Sequence, residues 1–120
     1  MNDIENSGGT VRQYRPLIYI CSDVEECGGQ RTEDFCRFAL KKGQIPLASD
    51  LLFSRLIPGR AEEDRELRGF MNIVLMGKCD EVWVLTDSIS REIRTQIDKA
   101  SKRRQKIRYF NSRFEEVKPL

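Results

Sequence analysis

The chain has no histidine. Ser-His and Cys-His nucleophile pairs are therefore excluded, and so are metal sites built on imidazole. Any acid or base chemistry falls to carboxylates, Lys, Tyr or Cys. No stretch approaches the about 18 consecutive apolar residues that a membrane span needs. The opening Met-Asn-Asp-Ile-Glu lacks the positive start and apolar run of an export signal, so the expected location is cytoplasmic. Charge of one sign is also missing. The formal net charge is +2 and the longest basic block is Lys102-Arg103-Arg104, so whole-chain electrostatics do not suggest a nucleic-acid partner. The glycines do not form a GxGxxG fingerprint, so a dinucleotide cofactor is not supported and none is expected. Cys21, Cys27, Cys36 and Cys79 are spaced by 6, 9 and 43 residues. That spacing fits neither paired CxxC zinc ligation nor a compact disulfide framework, so free thiols and no metal are expected.

What is present is an ordinary globular composition. The 120 residues are 39% hydrophobic and 33% charged, enough for one core in one domain. Residues 1–14 are polar, contain Ser7-Gly8-Gly9 and show no hydrophobic period, which reads as a flexible arm before a single domain over 15–120. Leu17 to Cys21 is a short apolar run rich in strand formers, followed by the turn signals Ser22-Asp23 and Gly28-Gly29. Phe35, Phe38, Ala39 and Leu40 fall at helical spacings, with Thr32 as a candidate cap and Gly43 as a stop, predicting a helix over 32–42. Ile45 to Ala48 reads as a second strand, and a loop or irregular segment is expected from there to Pro58-Gly59. Leu67, Phe70, Met71, Val74 and Leu75 repeat at intervals of three and four behind Glu62, Glu63 and Asp64, predicting a helix over 61–78. Val82 to Leu85 is a third strand, 90–102 a third helix and Ile107 to Phe110 a fourth strand. Trp83 reads as core. Alternation along the last strand is expected to turn one of Tyr109 and Phe110 inward and the other outward.

Strand and helix alternate throughout. The expected fold is therefore α/β: a small doubly wound, flavodoxin- or Rossmann-like three-layer sandwich on a four- to five-stranded, mainly parallel sheet. In such sheets ligands bind beyond the carboxyl ends of the strands. The loops to inspect hold Ser22-Asp23, Ser49-Asp50 and Asp87 to Glu92, including Ser88 and Ser90. For each a plainer role competes with ligand binding. Asp23 and Asp50 also suit turns, Ser90 also suits a helix cap, and Glu92 also suits the positive end of a helix dipole.

The segments PLIYICS, FCRFALKKGQIPLASDLLF, CDEVWVL and SREIRTQIDKASKRRQKIRYF together resemble the nucleoside 2-deoxyribosyltransferase-like family of small bacterial domains, over about residues 16 to 110. The resemblance implies a cleft for a nucleoside- or nucleotide-like small molecule, and homo-oligomers assembled through helices. The family's third helix commonly opens Ser-x-Gly-Met-x-x-Glu-Ile-x-x-Ala, with Glu as nucleophile. Here those positions read Ser90, Glu92, Ile93, Gln96, Ile97 and Ala100, so Gln96 stands where the nucleophile would be. Pro-His after the second strand is replaced by Ser49-Asp50. Pro-Tyr after the first is replaced by Asp23-Val24, with glycines only at Gly28 and Gly29.

The reaction so implied resembles retaining glycoside hydrolysis, in which an ionised carboxylate attacks an oxocarbenium-like centre. A neutral amide supplies neither charge nor nucleophile. The expectation is a binding protein without transferase activity. Two alternatives stand beside it: an N-glycoside hydrolase or transferase using displaced carboxylates at Glu92, Asp23 or Asp50, and an assembly module with a vestigial cleft. Glu92 lies four residues before Gln96, on the same helix face.

Overall fold

The structure, a computed structural model, describes residues 14–87 and 89–119. Residues 1–13 of the arm lie outside the described residues. Tyr14, its last residue, is exposed, and its hydroxyl donates to Asp80 Oδ2 at 2.6 Å. The same oxygen accepts the Leu17 backbone N–H at 2.8 Å, which ties the entrance of the first strand to the turn before the third.

The strands are β1 Leu17–Cys21, β2 Ile45–Leu47, β3 Glu81–Leu85, β4 Lys106–Phe110 and β5 Glu116–Val117. The helices are α1 Val24–Cys27, α2 Gly29–Lys41, α3 Ser49–Leu56, α4 Glu62–Met76 and α5 Arg91–Lys102. The sheet order is β2-β1-β3-β4-β5, with the first four strands parallel and β5 antiparallel to β4. This is the doubly wound α/β order of flavodoxin-like sheets. The chain leaves β1 on one side to make β2 and on the other to make β3, so a crevice opens beyond the carboxyl ends of these strands.

Period-two alternation builds the two faces. Tyr19, Cys21, Val82, Val84 and Tyr109 pack with Met76 of α4 and with Ile93 and Ala100 of α5. Ile18, Ile20, Trp83, Leu85 and Phe110 pack on the opposite face with Phe35 and Ala39 of α2. Trp83 is core, as its strand position implies; its ring centroid lies 4.7 Å from that of Phe110, and its indole N–H donates to Glu81 Oε1 at 3.0 Å. Tyr109 and Phe110 do point to opposite faces, but both are buried, at 8% and 4% exposure. Helices cover both sides of this sheet, so neither ring turns outward to solvent.

Three local expectations change. The helix expected from 32 begins at Gly29, and Thr32 is not its cap: it is buried, sharing a hydrogen bond with Ser22 Oγ at 2.9 Å. The segment expected to be irregular contains α3, whose start has no side-chain cap and whose few residues carry only a weak amphipathic pattern. Packing against α4 holds it in place, and tertiary contact of this kind commonly decides short helices. The apolar stripe of α4 is only partly core. Leu67, Phe70 and Val74 are 47%, 65% and 42% exposed, whereas Arg68 and Asn72 are buried.

Helix ends show a further contrast. After α2, Gly43 N–H donates to Leu40 C=O and Gln44 N–H to Ala39 C=O, with Gly43 at φ 78°. After α5 the same closing bonds run from Arg104 to Ser101 and from Gln105 to Ala100, but Arg104, not glycine, holds φ 60°. A non-glycine residue is strained there. Arg104→Gly is expected to stabilise the fold by about 0.5–1 kcal/mol, read as a higher urea midpoint at unchanged slope. An equal or lower midpoint would refute the strain.

Candidate functional site

The crevice beyond β1 and β3 holds a cleft of ≈ 270 Å³. The β1–α1 turn supplies Ser22, Asp23 and Glu25, α3 supplies Asp50, α4 supplies Arg65, Arg68 and Asn72, and α5 supplies Glu92 and Gln96; Arg60 closes one side from the α3–α4 connection. Gln96 and Asp50 converge on one space that neither Phe53 nor Met71 lines. Gly69, in the interior of α4, also lines it, and a Cβ added there would meet no atom within 4 Å. Glycine inside a helix costs about 1 kcal/mol relative to alanine, and here it leaves the cleft wall open.

Gln96 is 4% exposed and its orientation is set from below. The Cys21 thiol donates to Gln96 Oε1 at 3.2 Å. Burial raises the Cys21 thiol far above its ordinary value, and Asp23 and Asp50 add to the shift, so the sulfur stays protonated and remains a donor. With the amide oxygen held by Cys21, the Gln96 NH₂ is left as a hydrogen-bond donor at the cleft. A carboxylate at this position would offer an anion and a nucleophile; the amide offers neither.

Asp50 sits in the first turn of α3 and joins three helices. Its Oδ2 accepts the Val24 backbone N–H at 3.0 Å, and its Oδ1 accepts Asn72 Nδ2–H at 3.0 Å. Asn72 Oδ1 in turn accepts the Ser49 hydroxyl at 2.6 Å. Burial raises the Asp50 pKa, opposed by the Val24 and Asn72 hydrogen bonds. A raised folded pKa means that the folded state binds the proton more tightly than the unfolded chain. Stability contributed by this group is therefore present below the ordinary value of 3.8 and is lost as pH rises through the folded pKa. Asp50→Asn is expected to gain on the wild type as pH rises from 3.8, with Asn72 flipping to keep the bond. Paired thermal melts across that window check it, and a pH-independent difference would sink the assignment.

The structure brings together Ser22, Asp23, Asp50, Glu92 and Gln96 at the cleft and directs Ser49, Asp87 and Ser90 elsewhere. Asp23 lines the cleft, yet its carboxylate caps α1, accepting Glu25 N–H at 3.0 Å and Glu26 N–H at 3.3 Å. Ser22 turns its hydroxyl away to Thr32 and to Cys27. Ser49 is buried beneath the cleft between Asn72 and Tyr19. Asp87 forms an ion pair at 2.7 Å with Arg31, whose guanidinium lies over the Phe114 ring, so it braces the α2 side. Ser90 caps α5, accepting Ile93 N–H at 3.2 Å. Ser88 lies outside the described residues. Glu92 lines the cleft half-buried, with one long ion pair to Arg91 at 3.7 Å.

Sequence reasoning missed the cationic wall. Arg65 and Arg68 lie on α4 and pair with Glu25 at 3.1 Å and 3.4 Å. Arg68, 8% exposed, also donates to the backbone carbonyls of Ile57 and Gly59. Arg68 and Asn72 are spaced as i and i+4 inside an apolar pattern, which was the available signal. Partners on the α3–α4 connection and on α1 become visible only in three dimensions.

All four cysteines are free. Among the described residues, no group of three or more Cys, Asp and Glu side chains is arranged to hold a metal ion, and no helix is long and apolar enough to cross a membrane. A comparison with curated proteins gives no significant match. Residues 16–110, most of the chain, match a family described as a domain of unknown function (DUF7768), and the chain belongs to that family.

Proposed function

We propose that the chain binds a nucleoside- or nucleotide-like small molecule in the β1–β3 cleft and does not carry out transfer of the deoxyribosyl group. The observation that carries this reading is the Cys21–Gln96 hydrogen bond, which leaves an amide donor at the position where the resembling transferases place a nucleophile. A donor there suits a sugar or base acceptor atom. It gives no anion to an oxocarbenium-like centre. The test is thermal stabilisation by a panel of nucleosides and nucleotides, with release of free base assayed in the same wells. A ligand at a hundred times its dissociation constant stabilises by about 2.7 kcal/mol. Stabilisation without base release is the expected result; no stabilisation by any member of the panel would overturn it.

A second reading rests on Glu92, which shares the cleft with Gln96 and pairs only distantly with Arg91. In that reading the chain is an N-glycoside hydrolase or transferase with a relocated carboxylate. Base release by the wild type, abolished by Glu92→Gln, would establish it in place of the first.

The proposal includes a cytoplasmic homo-oligomer, as the resemblance implies. Leu67, Phe70 and Val74, at spacings of three and four along α4, are all more than two-fifths exposed, as are Leu52 and Leu56 of α3, and exposed apolar patches commonly mark interfaces. The occupant proposed is a second copy of the chain, meeting helix to helix. Phe70→Glu is expected to yield monomers where the wild type is oligomeric, read by light scattering after size exclusion; a monomeric wild type would exclude the interface.

A further inference from the structure

We infer that the cleft contains a phosphate subsite formed by Arg60, Arg65 and Arg68, with Glu25 as an internal anion that ligand phosphate displaces. The inference rests on the small-molecule reading above and narrows it from nucleosides to phosphorylated ligands.

Three arginines, Arg60, Arg65 and Arg68, line the cleft. Among the described residues the carboxylate ion-paired to these arginines is Glu25, whose two oxygens are divided between Arg65 at 3.1 Å and Arg68 at 3.4 Å. A single carboxylate spread over two forks leaves donors unused. The Arg65 Nε–H is buried and has no hydrogen-bond partner among the described residues, a costly state for a cationic donor. Arg60 lines the same cleft, exposed, with no ion-pair partner among the described residues. Of the other carboxylates of the cleft, Asp23 caps α1 and Asp50 is held by Val24 N–H and Asn72 Nδ2–H, while Glu92 is on α5 with a long 3.7 Å ion pair to Arg91.

A phosphate brings three acceptor oxygens and more charge than a carboxylate, and guanidinium groups bind it in bidentate pairs. It can therefore use donors that Glu25 leaves idle. Glu25 is a replaceable occupant because it sits on the four-residue α1, with its side chain 28% exposed. Arg68 differs from the other two: it is anchored to the Ile57 and Gly59 carbonyls, so it serves as the fixed base of the subsite. The Gln96 amide lies on the α5 wall of the same cleft, so a ligand with its phosphate at the arginines extends its remaining acceptors toward that donor.

The test is calorimetric titration of the full chain at low salt with deoxyadenosine, deoxyadenosine 5′-monophosphate and inorganic pyrophosphate. The monophosphate is expected to bind about tenfold tighter than the nucleoside, or better. Arg60→Gln and Arg65→Gln should each weaken the monophosphate more than the nucleoside and so erase that preference. Glu25→Gln should tighten the monophosphate relative to the nucleoside and tighten pyrophosphate, with thermal melts confirming that each variant is folded. Pyrophosphate binding that depends on Arg65, with no binding of either nucleoside form, would support the subsite and sink the nucleoside reading. Equal affinities for nucleoside and monophosphate, unchanged in the arginine variants, would overturn the subsite alone. No binding of any of the three would overturn both.

Discussion

Gln96→Glu is expected to create base-releasing activity toward 2′-deoxynucleosides, on the order of a hundredfold above the wild type, the scale on which one well-placed electrostatic group acts. One contact in the scaffold suits a carboxylate at this position. Cys21 remains a protonated donor and would hydrogen-bond one carboxylate oxygen, leaving the other toward the cleft. Gln96 is 4% exposed, so burial will raise the new carboxyl's pKa, while the Cys21 bond opposes the shift. Activity should therefore increase with pH as the nucleophile ionises. Cys21→Ala in the Gln96→Glu background is expected to move that rise to higher pH. A folded Gln96→Glu protein that binds deoxynucleosides and releases no base would show that the cleft is not arranged for this chemistry. The sequence resemblance would then extend to the scaffold only.

Replacing Arg68 with methionine is expected to cost about 3 kcal/mol of stability, the largest loss at any single cleft residue. Methionine keeps much of the volume and the apolar stem, so packing alone predicts little change. The charge and its donors are what disappear. The Ile57 and Gly59 carbonyls lose the donor they share, and Glu25 loses one of its two cationic partners. A fully buried acceptor left unpaired costs about 1–3 kcal/mol; here the two carbonyls and the Arg68–Glu25 pair are only partly buried, so about 3 kcal/mol covers their combined loss. Arg68→Lys keeps one charge without the planar fork and should fall between. Urea denaturation followed at constant slope measures both. A loss below about 1 kcal/mol for methionine would mean that water reaches those carbonyls, and that Arg68 does not organise the α3–α4 connection.

The residues that could be read without a structure are those whose neighbours lie nearby in the chain. Leu17 to Cys21 and Val82 to Leu85 are continuous apolar runs because strands covered on both faces have no solvent side, and they form β1 and β3 as expected. Ser90 stands one residue before α5 and caps it. Glu92 and Gln96 share a helix face by spacing alone, and both line the cleft.

Residues whose meaning depends on distant partners could not be read this way. Ser49 and Asp87 occupy the ends of strands next to the site, yet Asn72 and Arg31, 23 and 56 residues away, draw them into bracing. The stripe of α4 looks like core from its period, but period cannot say which side of an amphipathic helix will be covered. The chain covers Arg68 and Asn72 and leaves Phe70 exposed. α3 has too little local preference to announce itself and depends on α4 for its existence. Local propensity and hydrophobic period, which act over a few residues, were enough for the parallel sheet and for α2, α4 and α5, whereas the reading of Gln96 as a replaced nucleophile is what the sequence resemblance implies. The Glu25 bridge to Arg65 and Arg68 and the Cys21 bond that orients Gln96 required the chain to close on itself, because each joins groups more than 35 residues apart.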